Sequence, residues 1–135
     1  MSENCIFCKI AKGEIPSHKV YEDDDFLAFL DIAPAAMGHT LIIPKRHAGN
    51  LFELDAVSAA RLIPLAQKLA EKVKAETGCE GVNLLQNNGE AAGQSVFHFH
   101  LHIIPRFAGD GVLPVWNSLE HDAAVFAVLA EKIRK

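Results

Sequence analysis

The sequence lacks several features that mark common classes of protein. Thirteen Lys and Arg residues against 17 Asp and Glu residues give a net charge of −4 at pH 7, without the basic surplus that binding a nucleic-acid backbone requires. No apolar stretch approaches the roughly 20 residues of a membrane span, and the N-terminal residues show no basic region followed by an apolar run. We therefore expect a cytosolic protein with no nucleic-acid or membrane partner.

Cysteine is also scarce, with three residues among 135. Cys5 and Cys8 are spaced C-x-x-C and Cys79 stands alone, so the chain has no even disulfide framework, as is typical of a reducing compartment. There is no G-x-G-x-x-G motif, no internal repeat and no low-complexity tract. The length and the 50 % hydrophobic content predict a single folded domain over residues 1–135.

Short apolar segments bounded by proline, glycine and acidic turns predict strands at 19–22, 26–31, 39–44 and 81–87. The spacing of the first two predicts a hairpin. Because short strands are joined in this way and the helical patterns gather in two segments, we expect an α+β fold with an antiparallel sheet.

Helical spacing of apolar residues predicts one long helix, with Asp55 as its N-cap and Gly78 just past its end. Pro64 lies inside this pattern, so we expect a kink there or a helix that starts afresh. A helical turn is expected at 10–13. A C-terminal helix is expected from the apolar positions between Leu119 and Ile133.

Residues 94–106 contain three histidines that alternate with large apolar residues. A period of two predicts a strand with its apolar members on a core face and its histidines on the other face. The apolar members are Phe97, Phe99, Leu101 and Ile103, and the histidines are His98, His100 and His102. Solvent faces of strands usually carry Thr, Lys or Glu, so this run of imidazoles indicates a functional site. Its members, about 6.6 Å apart along a strand, suit neighbouring pairs better than one three-ligand site.

Two chemistries fit this histidine stretch. Two histidines at i and i+2, with a third ligand from elsewhere, can hold a catalytic zinc ion with an open position. The stretch contains no Asp or Glu to orient the rings, which such sites usually need. Alternatively, a neutral imidazole nitrogen can attack phosphorus, provided that the other ring nitrogen is fixed as a donor.

Residues 98–104 resemble the His-φ-His-φ-His-φ-φ signature, with φ apolar, of the histidine-triad family of nucleotide-binding and nucleotide-hydrolysing proteins. Further segments match in order and spacing, at residues 5–10, 28–32, 38–47, 87–89 and 93–95. The match covers about 5–107 and leaves 108–135 as a C-terminal extension with a helix. The resemblance implies a HIT-like fold of about five antiparallel strands with one long central helix and a C-terminal helix, and a homodimer.

The resemblance also implies a role for each matched residue. His100 would be the nucleophile that forms a nucleotidyl-histidine intermediate, His102 would hold the phosphate, and His39 would support the triad from behind. Ser95 and Gln94 would assist the phosphate and the leaving group. The implied nucleotide-binding residues are Phe7, Ile10, Phe29, Asp31, Ile32, Asn87 and Gly93.

The expected activity is hydrolysis or nucleotidyl transfer on a purine nucleoside 5′-monophosphate linked through phosphorus to a leaving group. A phosphoramidate is the first choice of substrate and a dinucleoside polyphosphate is the second. A nucleotide-binding interaction module with vestigial catalysis and a zinc-dependent hydrolase both stay open.

In the zinc-bearing branch of the family, the residues that match Cys5, Cys8, His47 and His98 hold a metal ion. A Cys2His2 set suits a tetrahedral zinc ion with every position filled, which is a structural rather than a catalytic site. A redox pair is the alternative for C-x-x-C, but no strand precedes it as in a thioredoxin-like unit. If zinc binds here, His98 belongs to the metal and two histidines of the triad face the phosphate.

Overall fold

The computed structural model describes residues 4–113 and 115–135; residues 1–3 and 114 of the predicted domain lie outside the described part. Within it, five strands form one antiparallel sheet in the order β1–β2–β3–β5–β4. The strands are β1 (Lys19–Glu22), β2 (Phe26–Leu30), β3 (Thr40–Pro44), β4 (Gly81–Leu85) and β5 (Leu101–Arg106). The helices are α1 (Ile6–Ala11), α2 (Ala56–Thr77) and α3 (Ala123–Arg134), with a short 3-10 turn at Glu90–Ala92. The predicted α+β fold with a long helix and a C-terminal helix is confirmed.

Both faces of the sheet are covered, which explains why β2 and β3 are almost continuously apolar. Alternate residues of β2, β3 and β5 pack against α2, among them Ala28, Ile42 and Ile103. Their neighbours pack against α1 on the opposite face, where Leu27 and Phe29 join the second apolar cluster. The two helices therefore hold the sheet from opposite sides.

Helix α2 begins and ends where the sequence predicts. The Asp55 side chain accepts a hydrogen bond from the Ser58 N–H, and Gly78 adopts a left-handed conformation with φ of 68°. The helix continues through Pro64, so the prediction of a fresh start there is wrong. Pro64 and Ala60 are exposed, and water can solvate the Ala60 carbonyl that loses its helical donor.

The other two helices differ from prediction at their starts. Helix α1 begins at Ile6 rather than at residue 10, because the Cys5 sulfur caps it by accepting from the Cys8 N–H at 3.4 Å. Helix α3 begins only at Ala123, after the N-cap Asp122. No helix in the described ranges combines the length and apolar content needed to cross a membrane.

The prediction of one strand over 94–106 is only partly correct, because β5 begins at Leu101. Earlier residues have no strand beside them, since β3 pairs with β5 only at 101–103 and β4 ends opposite His102. The Phe99 N–H donates instead to the Ala48 carbonyl at 2.6 Å. Phe97 is 55 % exposed and so does not join the predicted core face. His98 and His100 thus lie on the segment outside the strand that leads into β5.

Candidate active site and metal centre

His100 is held in one tautomer by the backbone. Its ring is buried, and Nδ1 lies 2.8 Å from the His98 carbonyl oxygen. A carbonyl only accepts hydrogen bonds, so Nδ1 carries the proton. In the neutral ring the lone pair is therefore on Nε2. The neighbouring ring of His102 lies 4.9 Å away between centroids. This is the arrangement that a nucleophilic imidazole requires.

His102 is oriented by His39, which enters from the start of β3. The Ala35 N–H donates to Nδ1 of His39 at 3.0 Å, so the proton of that ring, when neutral, is on Nε2. Nε2 of His39 lies 2.9 Å from Nδ1 of His102. His39 therefore donates to His102, and the proton of His102 is on Nε2. The Ala35 N–H thus determines, through His39, which nitrogen of the neutral His102 ring carries the proton.

Both rings of this pair are uncharged near neutral pH. Burial, together with the nearby His100 and His39, lowers the pKa of His102 to about 4, although Asp31 opposes the shift. Burial also lowers the pKa of His39, again against the effect of Asp31. The carboxylate of Asp31 lies 3.6 Å from Nε2 of His39. A carboxylate thus reaches the triad from the end of β2, outside the histidine stretch itself.

The side chains of Asp31, His39 and His102 are close enough to hold a metal ion between them. The 2.9 Å separation of the two imidazole nitrogens is a hydrogen bond, which needs a proton between the rings. A metal ion on either nitrogen would displace that proton. The geometry of this group therefore fits a proton-bearing relay better than a metal centre.

Gln94 binds three backbone groups. Its amide nitrogen donates to the carbonyls of Gly49 at 2.7 Å and Val96 at 3.0 Å, and its oxygen accepts from the Gly89 N–H at 2.8 Å. The side chain is 3 % exposed, and both of its N–H groups are used. Ser95 is exposed and lines a surface depression with Cys5 and His47. In this arrangement Gln94 holds the connection between β4 and β5 together and joins it to the loop after β3.

The residues expected to surround the nucleotide fall into two groups. Phe7, Ile10 and Phe29 are buried together, and the edge of the Phe7 ring meets the His100 ring at 5.1 Å between centroids. Asp31 and Asn87 are half-buried, whereas Ile32 is 87 % exposed on the loop after β2. Gly93, with φ of 96°, closes the 3-10 turn with its backbone facing Asn87. The structure therefore places an apolar wall directly behind the histidines and leaves Ile32 apart from it.

The predicted metal ligands converge on one point. Cys8 Sγ lies 3.3 Å from Nδ1 of His47 and 3.5 Å from Nδ1 of His98, and Cys5 Sγ lies 3.4 Å from the same nitrogen of His98. The two imidazole nitrogens are 3.2 Å apart. Tetrahedral zinc with ordinary Zn–S and Zn–N bonds would separate such ligand atoms by about 3.3 to 3.6 Å. The four side chains thus have the spacing of a closed zinc site.

His98 has the tautomer that a metal ligand needs. Its Nε2 lies 2.7 Å from the Pro44 carbonyl and so carries the proton, which leaves the Nδ1 lone pair facing the two sulfur atoms. Burial lowers the pKa of His98 to about 4, against the effect of the Pro44 hydrogen bond, and His47 and His100 lower it further. His98 is fully buried among these groups.

Comparison with known proteins decides the family. A family model of the HIT domain matches residues 12–109. The chain belongs to the HIT family. Protein hit of Bacillus subtilis is 52 % identical to this HIT protein over 122 residues, 90 % of this chain and 84 % of the relative. The adenosine 5′-monophosphoramidase Hnt1 of Schizosaccharomyces pombe is 50 % identical over 103 residues, 76 % of this chain and 74 % of the relative.

Solved structures share the fold of this HIT protein. A HIT family protein from Bacillus anthracis superposes with a TM-score of 0.92 at 46 % identity, covering 99 % of this chain and 97 % of the other. A zinc-bound histidine triad family protein from Mycobacterium smegmatis gives a TM-score of 0.76 at 35 % identity, covering 96 % and 97 % of the two chains. The resemblance drawn from the histidine stretch is confirmed at the level of family and fold.

Sequence reasoning missed the backbone groups that orient the rings. They are the Ala35 N–H and the carbonyls of Pro44 and His98. The first two belong to residue types with no characteristic role in such sites. A weak signal existed for Pro44, because it ends an apolar strand directly before the histidine-containing loop.

Proposed function

We propose that this HIT protein hydrolyses purine nucleoside 5′-phosphoramidates or related nucleotide conjugates through a nucleotidyl intermediate on Nε2 of His100. One observation carries the proposal, namely the 2.8 Å hydrogen bond that commits Nδ1 of His100 to the His98 carbonyl, so that in the neutral ring the lone pair is on Nε2. The S. pombe relative named adenosine 5′-monophosphoramidase supports the choice of substrate class.

In the first step, Nε2 of His100 attacks phosphorus, the Nε2–P bond forms, and the P–N bond to the leaving group breaks. The leaving amine takes up a proton from solvent as it departs. The His100 ring becomes cationic, and the His98 carbonyl, which accepts from its Nδ1–H, stabilises that charge. Water then attacks phosphorus and gives up a proton to solvent, the Nε2–P bond breaks and returns its electron pair to the His100 ring, and the nucleoside 5′-monophosphate leaves.

His102 supports the phosphoryl group in both steps. Because its Nδ1 accepts from His39, its Nε2–H is free to donate to a phosphate oxygen. Its ring stays neutral because its pKa is lowered to about 4, so the donor keeps its proton position across the neutral range. Ser95 is proposed to assist the leaving group from the solvent-exposed side, while Gln94 acts by holding the loops around the site.

The proposed nucleotide lies against the buried wall formed by Phe7, Ile10 and Phe29, with Ile32 closing over the purine from the loop after β2. Asp31 is proposed to bind the ribose hydroxyls and Asn87 to lie near the ribose and phosphate, since both are half-buried polar side chains. Gly93 lets the backbone approach the phosphate, because a side chain there would face Asn87. A phosphoramidate remains the first choice of substrate over a dinucleoside polyphosphate.

The proposal is tested by intact-mass spectrometry after brief mixing with adenosine 5′-phosphoramidate and with a dinucleoside polyphosphate. The wild type is expected to gain the mass of a nucleotidyl group, and His100→Ala is expected to show neither this adduct nor turnover. His18→Ala, at an exposed histidine of another segment, is the matched control and should behave as wild type.

Three results would refute the proposal. Turnover that survives His100→Ala excludes His100 as nucleophile. Nucleotide binding without adduct or turnover on any substrate would make the chain an interaction module. Complete and reversible loss of activity on metal removal from a chain that stays folded would favour a zinc-dependent hydrolase.

We further propose that Cys5, Cys8, His47 and His98 hold a structural zinc ion. Four of the six pairs of ligand atoms lie 3.2 to 3.5 Å apart, and the set would fill all four positions of a tetrahedral ion. Such an ion would cross-link α1, the loop after β3 and the segment before β5. It leaves no open coordination position for a substrate.

The protein is also proposed to act as a cytosolic homodimer, formed partly through α2 and the edge strand β4. An unpaired edge strand readily adds a second strand, and Leu84 on β4 and Ile63 on α2 are large exposed apolar side chains. Sedimentation velocity is expected to give twice the mass of the chain, and a monomer at micromolar concentration would contradict the proposal.

A further inference from the structure

The two cysteines of the C-x-x-C segment differ in their exposure to solvent. Cys5 is half-buried and lines a surface depression of about 480 Å³ together with His47 and Ser95. Cys8 is 1 % exposed. A molecule as small as hydrogen peroxide can therefore reach Cys5 from this depression, whereas Cys8 is shielded from solvent.

The sulfur atoms of Cys5 and Cys8 are close to each other. Both contact Nδ1 of His98, at 3.4 and 3.5 Å, and all the ligand atoms of the cluster lie within 4.8 Å of one another. Residues three apart on a helix have Cβ atoms about 5 to 6 Å apart, and a disulfide needs about 3.5 to 4.5 Å. Cys5 precedes α1 in an extended conformation, so a small rotation of its backbone closes this difference without unwinding the helix.

We propose that Cys5 and Cys8 are a redox modification site, at which a peroxide forms a disulfide and zinc is released. The site depends on the proposed zinc binding, and its effect on turnover depends on the proposed hydrolase activity. A cysteine that binds zinc is a thiolate, which is the form that attacks a peroxide. A disulfide sulfur has lost that charge, so oxidation leaves only His47 and His98 as ligands, too few to retain the ion.

The oxidation takes two steps and needs only the peroxide as co-reactant. The Cys5 thiolate attacks one peroxide oxygen, the O–O bond breaks, hydroxide leaves, and a sulfenic acid remains on Cys5. The Cys8 thiolate then attacks the Cys5 sulfur, the S–S bond forms, and the S–O bond breaks with loss of a second hydroxide. The two sulfur atoms lose two electrons in total, and the peroxide gains them.

The same segment contacts the proposed nucleophile. Phe7 lies between the two cysteines in sequence, and its ring packs against the rings of His98 at 6.0 Å and His100 at 5.1 Å between centroids. The His98 carbonyl also fixes Nδ1 of His100. A disulfide draws Cys5 toward Cys8 and removes the ligand shared with His98, so both contacts of His100 are loosened. Oxidation is therefore expected to lower turnover, and reduction in the presence of zinc is expected to restore it.

Mass spectrometry and zinc release test the site on the zinc-loaded wild-type protein. Hydrogen peroxide should lower the denatured intact mass by two hydrogen atoms, and a colorimetric zinc indicator should detect one released ion for each bridge formed. After alkylation and tryptic digestion, the bridge should lie within the peptide 1–9, which contains Cys5 and Cys8, whereas Cys79 should be alkylated. Turnover should fall as the bridge accumulates and return on treatment with dithiothreitol and zinc.

Two variants serve as controls for the bridge. Cys79→Ala, at a buried cysteine of another segment, should form the bridge and release zinc as the wild type does. Cys5→Ser should form no bridge. If this variant fails to fold, the peptide map of the wild type still decides which cysteines are joined.

The possible outcomes separate this site from the proposals on which it depends. Zinc that stays bound while the bridge forms, a bridge to Cys79, or oxidation that yields only sulfinic acid would overturn the modification site. Unchanged turnover in the bridged, zinc-free protein would overturn its effect on the reaction. A wild type that binds no zinc would refute both the zinc site and its release. A wild type without turnover on any nucleotide substrate would refute the proposed function, but bridge formation with zinc release would still support the modification site.

Discussion

Replacing Gln94 with Met removes three hydrogen bonds while keeping the length of the side chain. Each bond contributes about 1 kcal/mol net, so the free energy of unfolding should fall by roughly 3 kcal/mol. The three backbone groups that lose their partner belong to half-buried residues, Gly49, Gly89 and Val96, which water can partly solvate. Their exposure limits the additional penalty for unsatisfied groups. Denaturant unfolding of the zinc-loaded protein measures the change.

The control and the refuting result separate a structural Gln94 from a chemical one. Gln67→Met, at an exposed position of α2, should change the free energy of unfolding by no more than about 0.5 kcal/mol. If Gln94→Met unfolds at the wild-type denaturant concentration but loses turnover, the side chain acts on the substrate and the reasoning from its three backbone partners fails. If Gln94→Met loses both stability and turnover, the result supports the structural role.

Cys8→Ala should lose the proposed zinc ion and have a lower melting temperature, because metal binding is linked to folding, while Cys79→Ala should keep the metal. Equal zinc contents of the two variants, measured by plasma mass spectrometry, would contradict this prediction. Gly38→Ala should destabilise the protein more than Gly109→Ala, since a Cβ at Gly38 would lie 2.7 Å from a Thr77 methyl group whereas the surroundings of Gly109 are open. Equal losses of stability in chemical unfolding would refute this steric reasoning. The pKa of His102 falls to about 4 on folding, so between pH 6.5 and 4 only the unfolded chain takes up the proton, and the free energy of unfolding should decrease as the pH is lowered through this range. In a pH series of denaturant unfolding, His102→Gln should show a shallower decrease than the wild type. An unchanged slope would count against the pKa shift.

Caps and periodicity predicted the long helix well because its signals are local. Asp55 and Gly78 satisfy the backbone groups at the helix ends, and those bonds form within a few residues of chain. The same kind of reasoning failed for residues 94–100. Alternation predicts which side chains are buried, but a strand also needs a neighbouring strand. β4 ends at Leu85, and the Phe99 N–H bonds to the loop carbonyl of Ala48 instead. Strand pairing depends on residues distant in sequence, so the sequence of this segment alone did not indicate whether a partner strand was present.

The metal cluster was predictable as a set of residues but not as a geometry. Cysteine and histidine are rare enough as side chains that their spacing indicates a site. The relay from Ala35 through His39 to His102 was only half predictable, since its first member is a backbone N–H that any residue but proline provides. Which nitrogen of each ring carries the proton therefore follows only from the folded backbone.

The three histidines divide between two sites because each ring is fixed through a different nitrogen. His98 donates from Nε2 to Pro44 and directs Nδ1 toward the cysteines, whereas His100 donates from Nδ1 and directs Nε2 away from them. The acceptor for His100 is the backbone carbonyl of His98 itself. His98 therefore contacts the cysteines through its ring and sets the tautomer of His100 through its backbone carbonyl. If zinc binds as proposed, this one residue would link the ion to the proposed nucleophile.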